Sequence, residues 1–185
     1  LFLCPQALFK ILPDDDALFA GVLEAVLGIV LLVFEGRHRV LTGLFLRRLG
    51  AALAARGLNP RERVRVLARM PRQDFLQVNV ACDAMLDTQH WSGGNTSLDA
   101  IAAGLPIVAL PGRFMRGRQS AAMLRMAGVE ELIAADSDDY VRIAGRLVLD
   151  PAWRAGVVAK LAAGSARLFD DQEPLGALAA FLRGV

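Results

Sequence analysis

Cysteine and histidine are scarce in this chain. Cys4 and Cys82 are the two cysteines among 185 residues, and each lies in an apolar run without a CxxC or zinc-binding spacing. No group of His, Cys, Asp or Glu has metal-ligand spacing, so we predict no metal site. We expect both cysteines to be buried apolar residues. This thiol usage suits a reducing compartment, and we expect a cytoplasmic protein.

An excess of charge of one sign is also lacking. The chain carries 21 basic and 19 acidic residues, a formal net charge of +2 at pH 7. Nucleic-acid-binding surfaces usually need a clustered basic face, so this balance argues against nucleic acid and leaves a small anionic ligand open. The composition, 55% hydrophobic and 22% charged, is typical of a globular protein with a heavily buried interior. We expect one domain over residues 1–185.

One apolar run is long enough to be ambiguous. Residues 17–34 contain a single charged residue, Glu24, and this meets the length of a membrane span. The same run is typical of a helix that begins at the acidic residues 14–16 and stops at Gly28, followed by a strand buried on both faces. We favour the second interpretation and predict no membrane span. The first residue is Leu1, so we also expect the chain to be part of a longer protein.

Short apolar runs alternate with helical patterns along the whole chain. The runs typical of strands are 1–4, 29–34, 64–68, 84–87, 107–110 and, more weakly, 131–133. The helical patterns are 14–27, 41–56, 73–81, 97–103 and 117–127, followed by three more helices within 137–185. Because each crossover helix must bury one face on the sheet, this order predicts an α/β fold. We expect a parallel sheet of about six strands flanked by helices, with 137–185 a mainly helical tail.

The turn WSGGNTSLDA, residues 91–100, connects a predicted strand to a predicted helix. Thr96 and Asp99 have the spacing of a capping box, which would satisfy N–H groups of the first helical turn. Gly93 and Gly94 are more than a bend needs, and two glycines let a ligand approach the backbone closely. A helix N-terminus after such a turn suits phosphate. Spacing alone leaves simple capping and phosphate binding as equal alternatives.

Lys10 follows the first predicted strand in an otherwise apolar segment, and Lys160 is the other lysine. A lysine in this position commonly extends to solvent. The carboxyl ends of parallel strands meet at one edge of a sheet, where ligands bind in folds of this kind. If Lys10 and the turn 91–100 converge at that edge, the lysine would neutralise a diphosphate.

Three segments carry a resemblance to a known family. They are CPQALFKILPD (4–14), MLDTQHWSGGNTSLDAIAAGLPIVALPG (85–112) and GRQSAAMLRMAGVEELIAADSDDYVRIAGRLVLD (117–150). In this order they resemble the C-terminal part of the catalytic region of SPINDLY-type O-linked N-acetylglucosamine transferases, glycosyltransferase family 41, over about residues 1–168. The resemblance implies the Rossmann-like C-terminal lobe of a GT-B enzyme, which binds a UDP-sugar. It also implies a second lobe and tetratricopeptide repeats upstream in a longer chain.

The resemblance assigns roles to individual residues. Lys10 corresponds to a lysine that contacts the donor diphosphate, and Asp99 to a carboxylate that accepts hydrogen bonds from ribose hydroxyls. Uracil would lie near the backbone of Met70 and near Arg72, where a lysine is usual. The phosphate-binding turn comprises Gly93, Gly94, Asn95, Thr96 and Ser97.

This sequence departs from the family pattern at three of these positions. Asn95 stands where the family has a threonine, and Gly94 and Phe75 stand where it has histidines. The details of phosphate and ribose contact, and the donor sugar, therefore stay open.

Two nearby features have alternative interpretations. The segment RFMRGRQS, residues 113–120, is either a solvated loop or a loop that closes over the donor or faces an acidic acceptor. His90 stands beside Trp91 without a partner visible in the sequence, and we interpret it as a packing or donor-site residue rather than a general base.

From these residues and the resemblance we predict the UDP-sugar-binding half of an inverting glycosyltransferase that transfers N-acetylglucosamine or a related hexose to Ser or Thr of proteins. The leaving UDP would be stabilised by Lys10, by N–H groups of the turn and by the helix dipole. The UDP-sugar would be a substrate, with no metal and no permanently bound cofactor. We expect the isolated lobe to bind nucleotide without turnover.

Two alternatives stay open at this stage. One is another GT-B enzyme, such as an N-linking glucosyltransferase or a UDP-N-acetylglucosamine epimerase. The other is a non-catalytic partner-binding domain, in which the turn only begins a helix.

Overall fold

The structure is a computed structural model, and it describes residues 1–169 and 171–184. Its strands are β1 (Phe2–Cys4), β2 (Leu31–Phe34), β3 (Val64–Leu67), β4 (Ala84–Leu86) and β5 (Ile107–Val108). All neighbouring strands are parallel, in the order β3-β2-β1-β4-β5 of a 5-stranded sheet. The predicted α/β fold with a parallel sheet flanked by helices is confirmed.

Helices connect and follow the strands. They are α1 (Pro13–Ala25), α2 (Arg39–Ala54), α3 (Pro60–Arg63), α4 (Arg72–Ala81), α5 (Asn95–Ala102), α6 (Gln119–Met126), α7 (Ser137–Leu149), α8 (Pro151–Gly164) and α9 (Glu173–Arg183). The helices predicted within 137–185 are therefore present, while residues 170 and 185 of that segment lie outside the described residues. The short helix α3 is a single helical turn that Asn59 caps by accepting from the Arg61 N–H at 3.1 Å.

The weak sixth strand at 131–133 was wrong. Glu130–Leu132 forms a turn of 3₁₀ helix, and the chain then touches the sheet at one bridge between Ala109 and Ile133. The reason is local, because residues 130–132 are wound into the 3₁₀ turn, so that only the Leu132 carbonyl and the Ala134 N–H bond Ala109, at 3.1 and 2.8 Å. The sheet therefore has five strands in place of about six.

The long apolar run is divided between two elements. Helix α1 ends at Ala25, Gly28 adopts φ 76°, and β2 begins at Leu31. A positive φ is easy for glycine, which has no Cβ, so Gly28 separates the helix from the strand. Among the residues that the structure describes, no helix is both long and apolar enough to cross a membrane.

The two central strands decide where a ligand can bind. β1 and β4 lie side by side, and the chain proceeds outward from β1 to β2 and β3, and from β4 to β5. The connections that follow β1 and β4 therefore diverge at the carboxyl edge of the sheet, which opens a crevice there. β1 is fully buried over its whole length, so this crevice has a rigid floor. Lys10 lies after β1, and the turn 91–100 lies after β4.

The cysteines differ in burial. Cys4 is fully buried in β1, as expected, whereas Cys82 is half-buried, and both are free thiols. Burial raises the pKa of the Cys82 thiol to about 11, so both side chains act as small apolar groups.

Candidate functional site

A buried carboxylate organises the turn after β4. Asp87 is 2% exposed, and its two oxygens accept from the Gly93 N–H at 2.9 Å and from the Ser92 hydroxyl at 2.6 Å. Burial raises the pKa of Asp87, while these hydrogen bonds act in the opposite direction. The Asp87 backbone carbonyl also accepts from the buried Tyr140 hydroxyl of α7, at 2.9 Å. The turn is thus fixed to the sheet and to a helix.

Three buried serines extend this network to two further helices. The Ser92 and Ser120 hydroxyl oxygens lie 2.8 Å apart, which joins the turn to α6, and the Ser120 and Ser97 hydroxyls lie 2.7 Å apart. The Ser120 N–H returns a hydrogen bond to Ser92 at 2.9 Å. Sequence reasoning missed Asp87, Ser92 and Ser120. The signal available for Asp87 was a carboxylate directly after an apolar strand, which is costly unless it is hydrogen-bonded.

Close packing requires a glycine at position 93. A Cβ at this position would lie 2.2 Å from the Ser97 hydroxyl and 2.7 Å from the Gln6 amide nitrogen. Gly94 is less crowded, because a Cβ there would meet only the end of the Gln119 side chain, at 3.1 Å. Packing by itself therefore accounts for a glycine at position 93, while the role of both glycines in ligand approach stays a prediction.

The capping box between Thr96 and Asp99 does not form. The N-cap of α5 is Gly94, which has no side chain, and Thr96 lies inside the helix. The Thr96 hydroxyl accepts from the Gln6 amide at 3.1 Å. Asp99 instead pairs with Arg72, whose Nη2 lies 2.6 Å from Oδ1 of Asp99. Of the two alternatives that spacing left open, the capping box between Thr96 and Asp99 is therefore the one that the structure contradicts.

Some hydrogen-bond donors at the start of α5 have acceptors among the described residues, and others do not. The Ser97 N–H donates to the Gly94 carbonyl at 3.0 Å, and the Ser97 hydroxyl belongs to the serine network, so Ser97 shapes the turn and offers no unused donor. Asn95 and Thr96 contribute N–H groups to the first turn of α5, for which a helix supplies no acceptor. Asn95 is exposed. An anion at the N-terminus of α5 could accept hydrogen bonds from these backbone N–H groups.

Lys10 reaches the turn from the other side of the crevice. It ends the short 3₁₀ segment Leu8–Lys10 after β1, and its Nζ lies 5.3 Å from the centre of the Trp91 ring. The indole belongs to the first residue of the turn 91–100, so the structure brings the lysine and the turn together. The predicted convergence of Lys10 with the turn at this edge is present.

A cavity of about 730 Å³ opens beside the turn, a size typical of small-ligand sites. Residues that follow β1, β2 and β3 line it, including Gln6, Phe34, Arg69, Met70, Arg72 and Phe75. The rings of Phe34 and Phe75 form an aromatic wall, with centroids 5.6 Å apart. Gln6 and Arg72 connect the cavity to α5, through Thr96 and Asp99. Met70 and Arg72 thus lie at the cavity, and Asp99 lies at its border with the turn.

The approach to the turn is fixed by a second carboxylate. Asp15, near the start of α1, accepts from the Leu12 N–H at 2.8 Å and from the Gln89 N–H at 2.9 Å. Burial raises the pKa of Asp15 to about 6. His90 also has a partner, contrary to expectation, because its Nε2 lies 2.9 Å from the carboxylate of Asp14. This contact explains how His90 is held at the surface without assigning it a role in proton transfer.

A parallel sheet with a polar turn after a central strand, and a cavity at the same carboxyl edge, is typical of α/β lobes that bind ligands at that edge. Among solved structures, a mutant of the Thermobaculum terrenum O-GlcNAc transferase matches with a TM-score of 0.77 and 31% identity, covering 91% of this chain and 34% of that one. The N-terminal domain of Candida albicans trehalose-6-phosphate phosphatase matches with a TM-score of 0.59 and 13% identity, covering 89% of this chain and 38% of that one, and so shares only the fold.

The comparison with family models is more specific than the likeness of fold. A model of glycosyl transferase family 41 matches residues 4–173, and the chain belongs to that family. The UDP-N-acetylglucosamine–peptide N-acetylglucosaminyltransferase of Caenorhabditis elegans is 32% identical over 120 residues, 64% of this chain and 10% of the relative. A probable enzyme of this name, SPINDLY of Petunia hybrida, is 28% identical over 94 residues, 51% of this chain and 10% of the relative. The chain spans about a tenth of these curated relatives.

Proposed function

We propose that this chain supplies the UDP-sugar-binding lobe of an inverting glycosyltransferase, which transfers N-acetylglucosamine or a related hexose to Ser or Thr of proteins. One observation carries the proposal: Lys10 meets the turn that leads into α5, and Gln6 and Arg72 of the neighbouring cavity contact α5 through Thr96 and Asp99. Family 41 membership and the names of the relatives support the transfer reaction.

The nucleoside occupies the cavity. Uracil packs beside Met70, near the aromatic wall of Phe34 and Phe75. The ribose hydroxyls donate to Asp99, whose side chain is 13% exposed. Arg72 holds this carboxylate but does not exhaust it, because two carboxylate oxygens offer about four acceptor sites. The ion pair therefore orients Asp99 for the ribose.

The diphosphate lies between Lys10 and the N-terminus of α5. The acceptor hydroxyl oxygen attacks the anomeric carbon, and the bond from that carbon to the β-phosphate oxygen breaks, which inverts the configuration. Negative charge grows on the departing UDP, where the Lys10 ammonium, the N–H groups of Asn95 and Thr96, and the helix dipole stabilise it. These positive groups take the place of a metal ion. The acceptor proton passes to a base outside this lobe.

Calorimetric titration with UDP tests the proposal. We expect the parent chain to bind, and Lys10→Ala and Asp99→Ala to weaken binding by about tenfold each, as the loss of a hydrogen bond to a charged group predicts. Lys160→Ala is a matched control, because Lys160 is the other lysine and pairs with Glu131. Absence of binding at millimolar UDP, or unchanged affinity in both site variants, would overturn the proposal.

The donor sugar is tested separately. Competition between UDP-glucose and UDP-N-acetylglucosamine for the UDP site distinguishes the proposed N-acetylglucosamine donor from a hexose without the N-acetyl group. We expect UDP-N-acetylglucosamine to bind more tightly. A preference for UDP-glucose would assign the site to a glucosyltransferase.

A further inference from the structure

The arginine loop, residues 113–118, joins β5 to α6 and carries Arg113, Arg116 and Arg118. These three side chains are exposed, which would suit a solvated loop of no particular shape. The backbone of the loop, however, is closely packed and hydrogen-bonded to the turn that begins the candidate site.

Two buried glycines fix both ends of the arginine loop. The Gly112 N–H donates to the Gly117 carbonyl at 2.9 Å, which closes the loop on itself. Both glycines pack against the Gln89 carbonyl oxygen, which would lie 2.4 Å from a Cβ at Gly112 and 2.3 Å from a Cβ at Gly117. No larger residue fits at either position without a shift of the backbone. The loop is therefore packed closely against Gln89, which precedes the turn 91–100.

A main-chain hydrogen bond then sets the position of Arg116. The Ser92 N–H donates to the Arg116 carbonyl at 2.8 Å. Ser92 is itself held by Asp87 and Ser120 in the buried network. Arg116 is therefore attached, through its backbone, to the same rigid turn that begins α5.

The Arg116 guanidinium lies beside the indole that also holds Lys10. The Arg116 Cζ is 5.7 Å from the centre of the Trp91 ring and 4.9 Å from that of Phe114, while the Lys10 Nζ is 5.3 Å from the Trp91 centre. Across residues 1–169 and 171–184, no carboxylate lies within ion-pair distance of Lys10 or Arg116. Two cations thus share one aromatic ring at the entrance to the site, and neither is neutralised.

We propose that Arg116 is a second cation for the donor diphosphate, acting together with Lys10. The inference rests on the proposed function and names a binding residue that the sequence did not single out. An exposed contact between a cation and an aromatic ring is weaker than a charge-assisted hydrogen bond, so a diphosphate draws both cations from the indole. The planar guanidinium donates two parallel hydrogen bonds to phosphate oxygens, which an ammonium does not.

The test compares two arginines of the same loop. Arg116→Ala is expected to weaken UDP binding by about tenfold and uridine binding by less than about twofold, because uridine has no phosphate. Arg113→Ala is the matched control, since the Arg113 guanidinium lies 5.7 Å from the centre of the Phe114 ring and, among the described residues, makes no ring contact with Trp91. It should change neither affinity by more than about twofold. Arg116→Ala keeps the loop folded, because the bond to Ser92 uses the main chain.

Fluorescence gives a second readout. Trp91 and Trp153 are the two tryptophans, so Trp153→Phe leaves Trp91 as the reporter. UDP should change the emission of Trp91 as the cations leave its ring, and Arg116→Ala should reduce that change. If the parent binds UDP and Arg116→Ala binds it equally well, the inference fails while the proposed function stands. If the parent does not bind UDP, both fail.

Discussion

The two sides of the candidate site are built differently. The turn side is held by buried groups: the Asp87 carboxylate, the hydroxyls of Ser92, Ser97 and Ser120, and a glycine that tolerates no side chain. The cavity side connects to α5 through an ion pair whose arginine is 72% exposed. Buried hydrogen bonds contribute to folding, whereas exposed ion pairs contribute little. The turn side, which we propose holds the phosphates, is therefore preorganised by the fold, whereas the cavity side, which we propose holds the nucleoside, depends more on the ligand.

The largest effect is expected at Asp87. Asp87→Ala leaves the Ser92 hydroxyl and the Gly93 N–H buried without their acceptor. We expect the free energy of unfolding to fall by about 4 kcal/mol, as two buried unsatisfied donors predict. Urea unfolding followed by circular dichroism measures it. Asp138→Ala, at an exposed aspartate of α7, is the control and should stay within about 0.5 kcal/mol of the parent. Equal stability of the two variants would contradict a preorganised turn.

The two glycines of the turn provide a matched pair. Gly93→Ala places a Cβ 2.2 Å from the Ser97 hydroxyl, and we expect it to lower the free energy of unfolding by about 3 kcal/mol. Gly94→Ala meets only the end of the Gln119 side chain, which can move, and should cost about 1 kcal/mol or less. Thermal unfolding of both variants checks the difference. Similar losses would show that Gly93 is not the packed position.

Asp15 makes the stability of the turn side depend on pH. Burial raises its pKa from 3.8 to about 6, so the folded protein binds this proton more tightly than the unfolded chain does. The contribution favours folding below about pH 4, falls as the pH rises to about 6, and is constant above that. The fall amounts to about 3 kcal/mol.

The matched variant for this titration is Asp15→Asn, which cannot titrate. The free energy of unfolding of the parent, relative to that of Asp15→Asn, should decline between pH 4 and pH 7. Because other carboxyls contribute equally to both proteins, the difference isolates Asp15. A constant difference across that range would show that the Asp15 pKa is not raised.

Features that depend on neighbours along the chain could be predicted from the sequence, whereas those that depend on distant partners could not. Alternating apolar runs predicted the parallel sheet and its helices, because strand and helix periodicity depend on neighbours along the chain. The convergence of Lys10 with the turn could be predicted because both follow strands that end at one edge of the sheet. The strand at 131–133 and the capping box at Thr96 and Asp99 are absent because each required particular hydrogen-bond partners, which local sequence spacing does not determine. Ile133 bonds within its own turn, and Asp99 bonds Arg72 of another helix.

The buried hydrogen-bond network of Asp87 and the serines could not be predicted, because its members are distant from one another in sequence. Ser92 and Ser120 lie 28 positions apart in sequence, and neither has a distinctive local pattern. Spacing cannot show that two hydroxyls meet in the interior. The arginine loop was left between two interpretations for the same reason, because its seating depends on the Gln89 carbonyl.

The smallest effect on stability is expected at Arg72, on the cavity side. Arg72→Ala removes an ion pair whose arginine is 72% exposed and whose aspartate side chain is 13% exposed, so the free energy of unfolding should fall by about 1 kcal/mol or less. Binding should respond instead: without Arg72 the Asp99 carboxylate is no longer oriented, and we expect affinity to fall by about fivefold for UDP and for uridine alike. Arg125→Ala, which removes the exposed pair with Glu130, is the control for both measurements.

The pattern across ligands sharpens the division of the site. Arg72→Ala should weaken uridine and UDP by the same factor, whereas Arg116→Ala should weaken only UDP, because one residue serves the nucleoside and the other the phosphates. If Arg72→Ala lowers the free energy of unfolding by more than about 1 kcal/mol, the Arg72–Asp99 ion pair stabilises the fold as the buried network does. The contrast between the turn side and the cavity side would then be lost. A loss of UDP affinity with uridine affinity intact would instead move Arg72 to the phosphate half.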